Sequence, residues 1–157
     1  MATVIIRKET QSDIEIISDI TKSAFKNHPY SQITEHFIIK DLRISGALAV
    51  SLVAENNGVV LGHIAFSPVT FTDESEDWYG LGPVSVVPDR QRQGIGTKLV
   101  NEGLKQLNEL NAAGCVLVGE PDFYERFGFK SPDCLKYEGV PQKNFLILPF
   151  GEKIPNG

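Results

Sequence analysis

Residues 84 to 118 place a strand, a glycine-bearing turn, a helix and a second strand in immediate succession. Val84-Ser85-Val86-Val87-Pro88 is an apolar run closed by proline, and Arg90-Gln91-Arg92-Gln93-Gly94-Ile95-Gly96-Thr97 forms the turn. From Thr97 to Asn108, Leu99, Val100, Leu104 and Leu107 make one apolar stripe opposite Lys98, Glu102, Lys105 and Glu109. Val116-Leu117-Val118, after Gly114, is a short buried strand. A strand reached through a helical crossover lies parallel to the strand it left, so this segment dictates a sheet that is at least partly parallel.

The turn also reads as a phosphate cradle. Backbone N–H groups in the first turn of a helix attract anionic oxygens, and glycine lets a ligand approach the main chain without a Cβ in the way. Arg90, Arg92 and Lys98 crowd this turn in a chain whose net charge is −5, which suits a compact polyphosphate better than a long polyanion. Gly94-Ile95-Gly96-Thr97-Lys98 lacks the spacing of a Walker loop. A dinucleotide fingerprint requires a third glycine where Leu99 stands. The remaining pattern is Gln91-x-x-Gly94-x-Gly96 after a strand ending in Val-Val-Pro.

Elsewhere, Val4-Ile5-Ile6 reads as a first strand, and Thr10-Gln11-Ser12-Asp13 as a helix cap. Ile14, Ile17, Ile20, Ala24 and Phe25 share one helical face. After the breaker Asn27-His28-Pro29, a second helix runs from Ile33 to Arg43 and stops near Gly46. Strands follow over Leu48 to Glu55, Val59 to Phe66 and Trp78 to Val87, the first two joined by the hairpin signal Asn56-Asn57-Gly58. Pro121 opens a short helix and Gly128 ends it, and Leu135 to Tyr137 and Phe145 to Leu148 supply closing strands. This order predicts an α/β fold of the α+β kind: a central mixed β-sheet with helices on both faces. The 157 residues are expected to form a single domain over 1–157, large enough to bury about 70% of its unfolded surface.

An apolar fraction of 41% with 22% charged residues belongs to a globular chain, and the first residues lack the features of a signal peptide, so a cytoplasmic protein is expected. No apolar run has the length of a membrane span, and the acidic charge argues against nucleic acid. Cys115 and Cys134 read as reduced thiols. His28, His36 and His63 show no ligand spacing, and no metal is expected. The acidic stretch Thr72 to Asp77 reads as a solvated loop.

Downstream of the cradle, Phe123-Tyr124-Glu125-Arg126-Phe127-Gly128-Phe129 follows the second strand. The two motifs, in this order, resemble the acyl-CoA signature and the Tyr-x-x-x-Gly-Phe segment of the GNAT superfamily of N-acetyltransferases. Leu81-Gly82-Pro83, Leu117-Val118-Gly119-Glu120-Pro121 and Gly62-His63-Ile64-Ala65-Phe66-Ser67-Pro68 extend the resemblance, most closely to small stand-alone bacterial members of the YhbS-like group. It implies acetyl-CoA as cosubstrate, with the two parallel strands splayed around its pantetheine arm. Val86 and Val87 would face the pantetheine amides, while Gln91, Arg92, Gln93, Gly94, Ile95, Gly96 and Thr97 hold the pyrophosphate; Arg90 or Arg92 could reach the 3′-phosphate.

The implied reaction is direct acetyl transfer to a primary amine of a small molecule or peptide. Tyr124 matches the tyrosine that donates to the departing thiolate, and a main-chain N–H near Val86 serves the oxyanion. Glu120 is the candidate base and His63 the runner-up. Family members commonly carry an Asn before the tyrosine helix, where this chain has Val118-Gly119-Glu120-Pro121. Ser85 sits in no nucleophile elbow, and neither cysteine has an activating neighbour. The rival reading is a non-catalytic acyl-CoA-binding module. The sequence is compatible with a homodimer and is silent on oligomeric state.

Overall fold

The computed structural model describes residues 4–25, 35–46, 48–69, 76–91, 93–119, 121–131 and 144–151. Its strands are β1 (Ile5–Lys8), β2 (Val50–Asn56), β3 (Val59–Val69), β4 (Trp78–Val86), β5 (Gly114–Val118) and β6 (Phe145–Pro149). Its helices are α1 (Ile14–Phe25), α2 (Glu35–Ser45), α3 (Ile95–Glu109) and the single-turn α4 (Pro121–Tyr124). The six strands form one sheet in sequence order. β1 and β2, β2 and β3, and β5 and β6 are antiparallel, whereas β4 and β5 are parallel. The sheet is thus mixed, with a parallel pair where the helical crossover demanded it. The expected strand Leu135 to Tyr137, the breaker Asn27-His28-Pro29 and most of the acidic loop lie outside the described residues.

Contacts group the chain into two units. The first comprises residues 1–67 and 82–103. Its β2–β3 hairpin turns at Asn57 and Gly58, whose φ values of 52° and 83° explain the Asn-Gly pair, since both positions need the left-handed region. Val53 pairs with His63 across this hairpin and packs with Ile17 of α1 and Ile39 of α2. Gly62, the residue before His63, faces the opposite way, and its Cβ position lies 3.1 Å from Leu99 and 3.4 Å from Ile95 of α3. Helices therefore cover both faces of this unit, α1 and α2 on one and α3 on the other. On the α3 face, the ring of Phe66 fills the space a side chain at Gly103 would need.

The second unit comprises residues 68–81 and 104–157. Trp78, Val116, Phe145 and Ile147 form its core, joined by Val69 and Ala113. The parallel ladder pairs Trp78, Tyr79 and Gly80 with Gly114, Cys115 and Val116. The Cβ position of Gly114 lies 2.4 Å from the Trp78 ring, so the indole occupies what any larger residue would claim.

α1 is entered through a 3-10 turn over Gln11–Asp13 with the expected capping box: the Asp13 carboxylate accepts from the Thr10 N–H at 2.7 Å. The same carboxylate accepts twice from Arg7 of β1, at 2.8 and 3.1 Å, and Arg7 also donates to Glu55 of β2 at 3.0 Å. Arg7 holds the buried Asp13 carboxyl down to about 2 against its desolvation. A carboxyl depressed in the folded state stabilises fully above its unfolded pKa and ceases to do so as pH falls through the folded one. Stability should therefore drop between about pH 4 and pH 2 by about 2 kcal/mol from this group. Urea titrations should show Asp13→Asn removing most of that dependence while lowering stability at pH 7.

Candidate active site

The cradle belongs wholly to the first unit. At the end of β4, the Val87 N–H donates to the Leu61 carbonyl of β3 at 2.8 Å. By strand alternation the N–H and C=O of Val86 point to the other edge of β4. There the Gln91 side-chain amide donates to the Val86 carbonyl at 3.0 Å, tying the strand end to the turn. Pro88–Arg90 forms a 3-10 turn closed by an Arg90 N–H to Val87 carbonyl bond of 2.9 Å. Arg90 donates to the Gln93 side chain at 3.1 Å, stiffening the turn from outside.

α3 then begins two residues earlier than its apolar stripe suggested. Its first intrahelical bond runs from the Lys98 N–H to the Gly94 carbonyl at 3.1 Å, which makes Gly94 the N-cap. The N–H groups of Ile95, Gly96 and Thr97 consequently have no carbonyl one turn back to bond to. Gly94 has φ 83° and nothing within 4 Å of its Cβ position, so main chain is open to a ligand there. Ile95 is buried at 2% exposure and anchors the helix start. Gly62 permits the close approach of β4 and α3 to β3: a Cβ there would stand 2.9 Å from the Ser85 carbonyl oxygen and 3.1 Å from Leu99. Its role could be read only from the fold, because a lone strand glycine signals close approach without naming the partner. Arg92 lies outside the described residues.

Tyr124 ends α4 in the second unit. The residue is 9% exposed, and its ring meets Phe123 and Phe129 edge to face at centroid distances of 4.9 and 5.9 Å. Among the described residues, no hydrogen bond engages its hydroxyl. Burial pushes the phenol up to about 12, with Cys115 nearby adding to the shift. It remains a neutral donor throughout the physiological range. Gly128, at φ 99°, closes the turn after Phe127. Gly119 is clamped to Asn144 by bonds of 2.9 and 3.1 Å, and Glu120 lies outside the described residues.

His63 is fully buried on β3. Its Nε2 lies 2.7 Å from the Ser51 hydroxyl and 3.8 Å from Glu9. Ser51 donates in turn to Glu9, which accepts from Arg43 of α2 at 2.8 and 3.2 Å. Desolvation opposes the Glu9 charge, but the bonds from Arg43 and Ser51 outweigh it and hold the carboxyl below its usual range. Burial pushes the His63 imidazole down to about 4, so it is neutral at pH 7. The structure thus gathers the cradle residues and His63 into one unit and sets Tyr124 on the other.

The sequence matches the Acetyltransferase (GNAT) family over residues 14–129. The protein named uncharacterized N-acetyltransferase YhbS of Escherichia coli K12 is 37% identical over 128 residues, covering 81% of this chain and 74% of that protein. A GNAT family acetyltransferase from Brucella melitensis, solved with acetyl-CoA, superposes with a TM-score of 0.88 at 47% identity, covering 99% of this chain and 93% of that one. YhbS from Escherichia coli, solved with CoA, gives 0.84 at 31% identity, covering 96% and 83%. The chain belongs to the GNAT family and is an acetyltransferase of that family.

The Cβ position of Gly119 lies 2.6 Å from a Tyr124 ring carbon, so Gly119→Ala must displace the phenol. The expected result is a kcat for acetyl transfer lowered about tenfold or more, with CoA affinity by calorimetry changed less than threefold.

Proposed function

We propose that this protein is an N-acetyltransferase that moves the acetyl group of acetyl-CoA directly to a primary amine of a small molecule or peptide, in the cytoplasm. The observation that carries this reading is the α3 start, where three main-chain N–H groups with no intrahelical acceptor adjoin the open position at Gly94. Such a surface fits a pyrophosphate. The acetyl-CoA and CoA bound to the two similar structures support the same ligand here.

In this mechanism Ile95, Gly96 and Thr97 bind the pyrophosphate through main-chain N–H groups, with Gln93, Gly94 and Arg92 completing the turn. Val86 offers its N–H on the outer edge of β4, while Gln91 occupies its carbonyl and Leu61 engages Val87. The strand therefore meets the cosubstrate chiefly as a donor, the polarity that a thioester oxyanion or a pantetheine carbonyl requires. Acetyl-CoA supplies an electrophilic thioester. The amine nitrogen forms the new C–N bond, the C–S bond breaks, and the amine's proton is lost to Glu120 or to water beside it. Tyr124 serves the departing sulfur. With its phenol near 12, well above the ~8.5 of a thiol, full proton transfer from Tyr124 is uphill. It stabilises the thiolate as a hydrogen-bond donor, and the thiol proton comes from the amine by way of solvent.

Replacing Gly94 with Asp puts a side chain and a negative charge into the cradle. Acetyl-CoA affinity by calorimetry should fall at least tenfold, about 1.4 kcal/mol, with the circular dichroism spectrum retained; unchanged affinity would move the site elsewhere. Tyr124→Phe should reduce kcat and leave CoA binding nearly unchanged, the mark of a bond made in the transition state. Binding of acetyl-CoA without turnover across polyamines, amino acids, aminoglycosides and peptide N-termini would instead favour an acyl-CoA-binding module.

A further inference from the structure

The polar groups beneath α1 and α2 form a chain whose protons can be counted. Ionised Glu9 can only accept, and the single proton of Ser51 goes to Glu9. Ser51 has nothing left to donate. The 2.7 Å contact between its Oγ and His63 Nε2 therefore requires the imidazole to be the donor, and a neutral ring protonated on Nε2 bears a bare lone pair on Nδ1. Among the described residues, that Nδ1 is buried without a partner, and so is the hydroxyl of Ser85.

One group is an acceptor and the other can donate. They come from adjacent stretches of neighbouring strands: the Val87 N–H bonds the Leu61 carbonyl, and the Ser85 carbonyl oxygen lies 2.9 Å from the Cβ position of Gly62. Residues 61–63 thus run beside residues 85–87. Burying both groups unpaired carries a desolvation penalty that one bond between them would remove.

We infer that the Ser85 hydroxyl donates to Nδ1 of His63, through one buried water or after a χ1 rotation of Ser85. This bond fastens β4, at the residue before Val86, to the Ser51–Glu9–Arg43 chain and so to α2. His63 is then a positioning residue that acts through Ser85 and β4, and not the acceptor of the amine's proton. The kinetic part of this assignment rests on the proposed transferase function; the tautomer and its bond do not.

Ring 15N spectra of the full-length protein test the bond directly. His63 should show a protonated Nε2 and an Nδ1 signal shifted by an accepted hydrogen bond. Ser85→Ala should return Nδ1 to its unbonded value, and Ser85→Thr should keep the bonded one. Transfer assays should show kcat falling roughly 5- to 10-fold in Ser85→Ala, with acetyl-CoA affinity within twofold and recovery in Ser85→Thr. A high-resolution crystal structure would separate the two routes, by water density between the two atoms or by direct contact within hydrogen-bond range. Protonation on Nδ1 in the parent, which needs no variant to fold, overturns the assignment, as does an Nδ1 shift indifferent to Ser85→Ala. A lost bond with unchanged kcat refutes the positioning role alone. Failure of the parent to bind acetyl-CoA would sink the proposed function and leave the ring-nitrogen result standing.

Discussion

The bond from the Val87 N–H to the Leu61 carbonyl decides what the end of β4 can offer. With that N–H committed to β3 and the Val86 carbonyl taken by Gln91, the strand turns a donor outward just before the chain enters the cradle. Gly62 completes the constraint. Because it has no side chain, α3 seats Ile95 and Leu99 against β3, and the helix N-terminus is held at a fixed height above the strand. Open N–H groups at a helix start are common; a ligand site results when packing denies them freedom to move.

The same unit bears a polar load on its other face. Arg43, Glu9, Ser51 and His63 reach from α2 across the sheet in a row, and each uses its partner's opposite capacity. Such a row rigidifies a fold when complete and weakens it when a member is left unpaired. Burial lowers the imidazole to about 4 because the charged form would lose its hydration and face Arg43, with Glu9 compensating only in part. At neutral pH the imidazole is therefore uncharged.

What could be read from the sequence was local. Asn56-Asn57-Gly58 marked the hairpin because only a few residue types accept two consecutive left-handed conformations. Thr10 and Asp13 marked the cap, and Gly128 the end of the turn after Phe127. The parallel pair followed from the crossover of α3. What escaped was either blurred by glycine or long-range. α3 starts at Ile95 although Gly96 lowers helix propensity there, since the buried Ile95 side chain compensates. The bonds of Glu9 join residues 34 and 42 positions apart in sequence, and no periodicity encodes them. Val87 looked equivalent to Val86 as a ligand-facing residue until the fold showed which edge each one serves.

The chemistry of the Tyr124 pocket follows from its apolar walls. Phe123, Phe127 and Phe129 desolvate the ring, and desolvation raises the phenol's pKa by penalising phenolate. A phenol made less acidic is a poorer proton source, yet it is a donor that never ionises under working conditions. An enzyme that must expel a thiolate gains from that steadiness: hydrogen bonding stabilises the leaving sulfur as charge develops, and no phenolate has to be reprotonated before the next turnover. Gly119 sets the limit on this arrangement, because the Tyr124 ring occupies the space a methyl group would take.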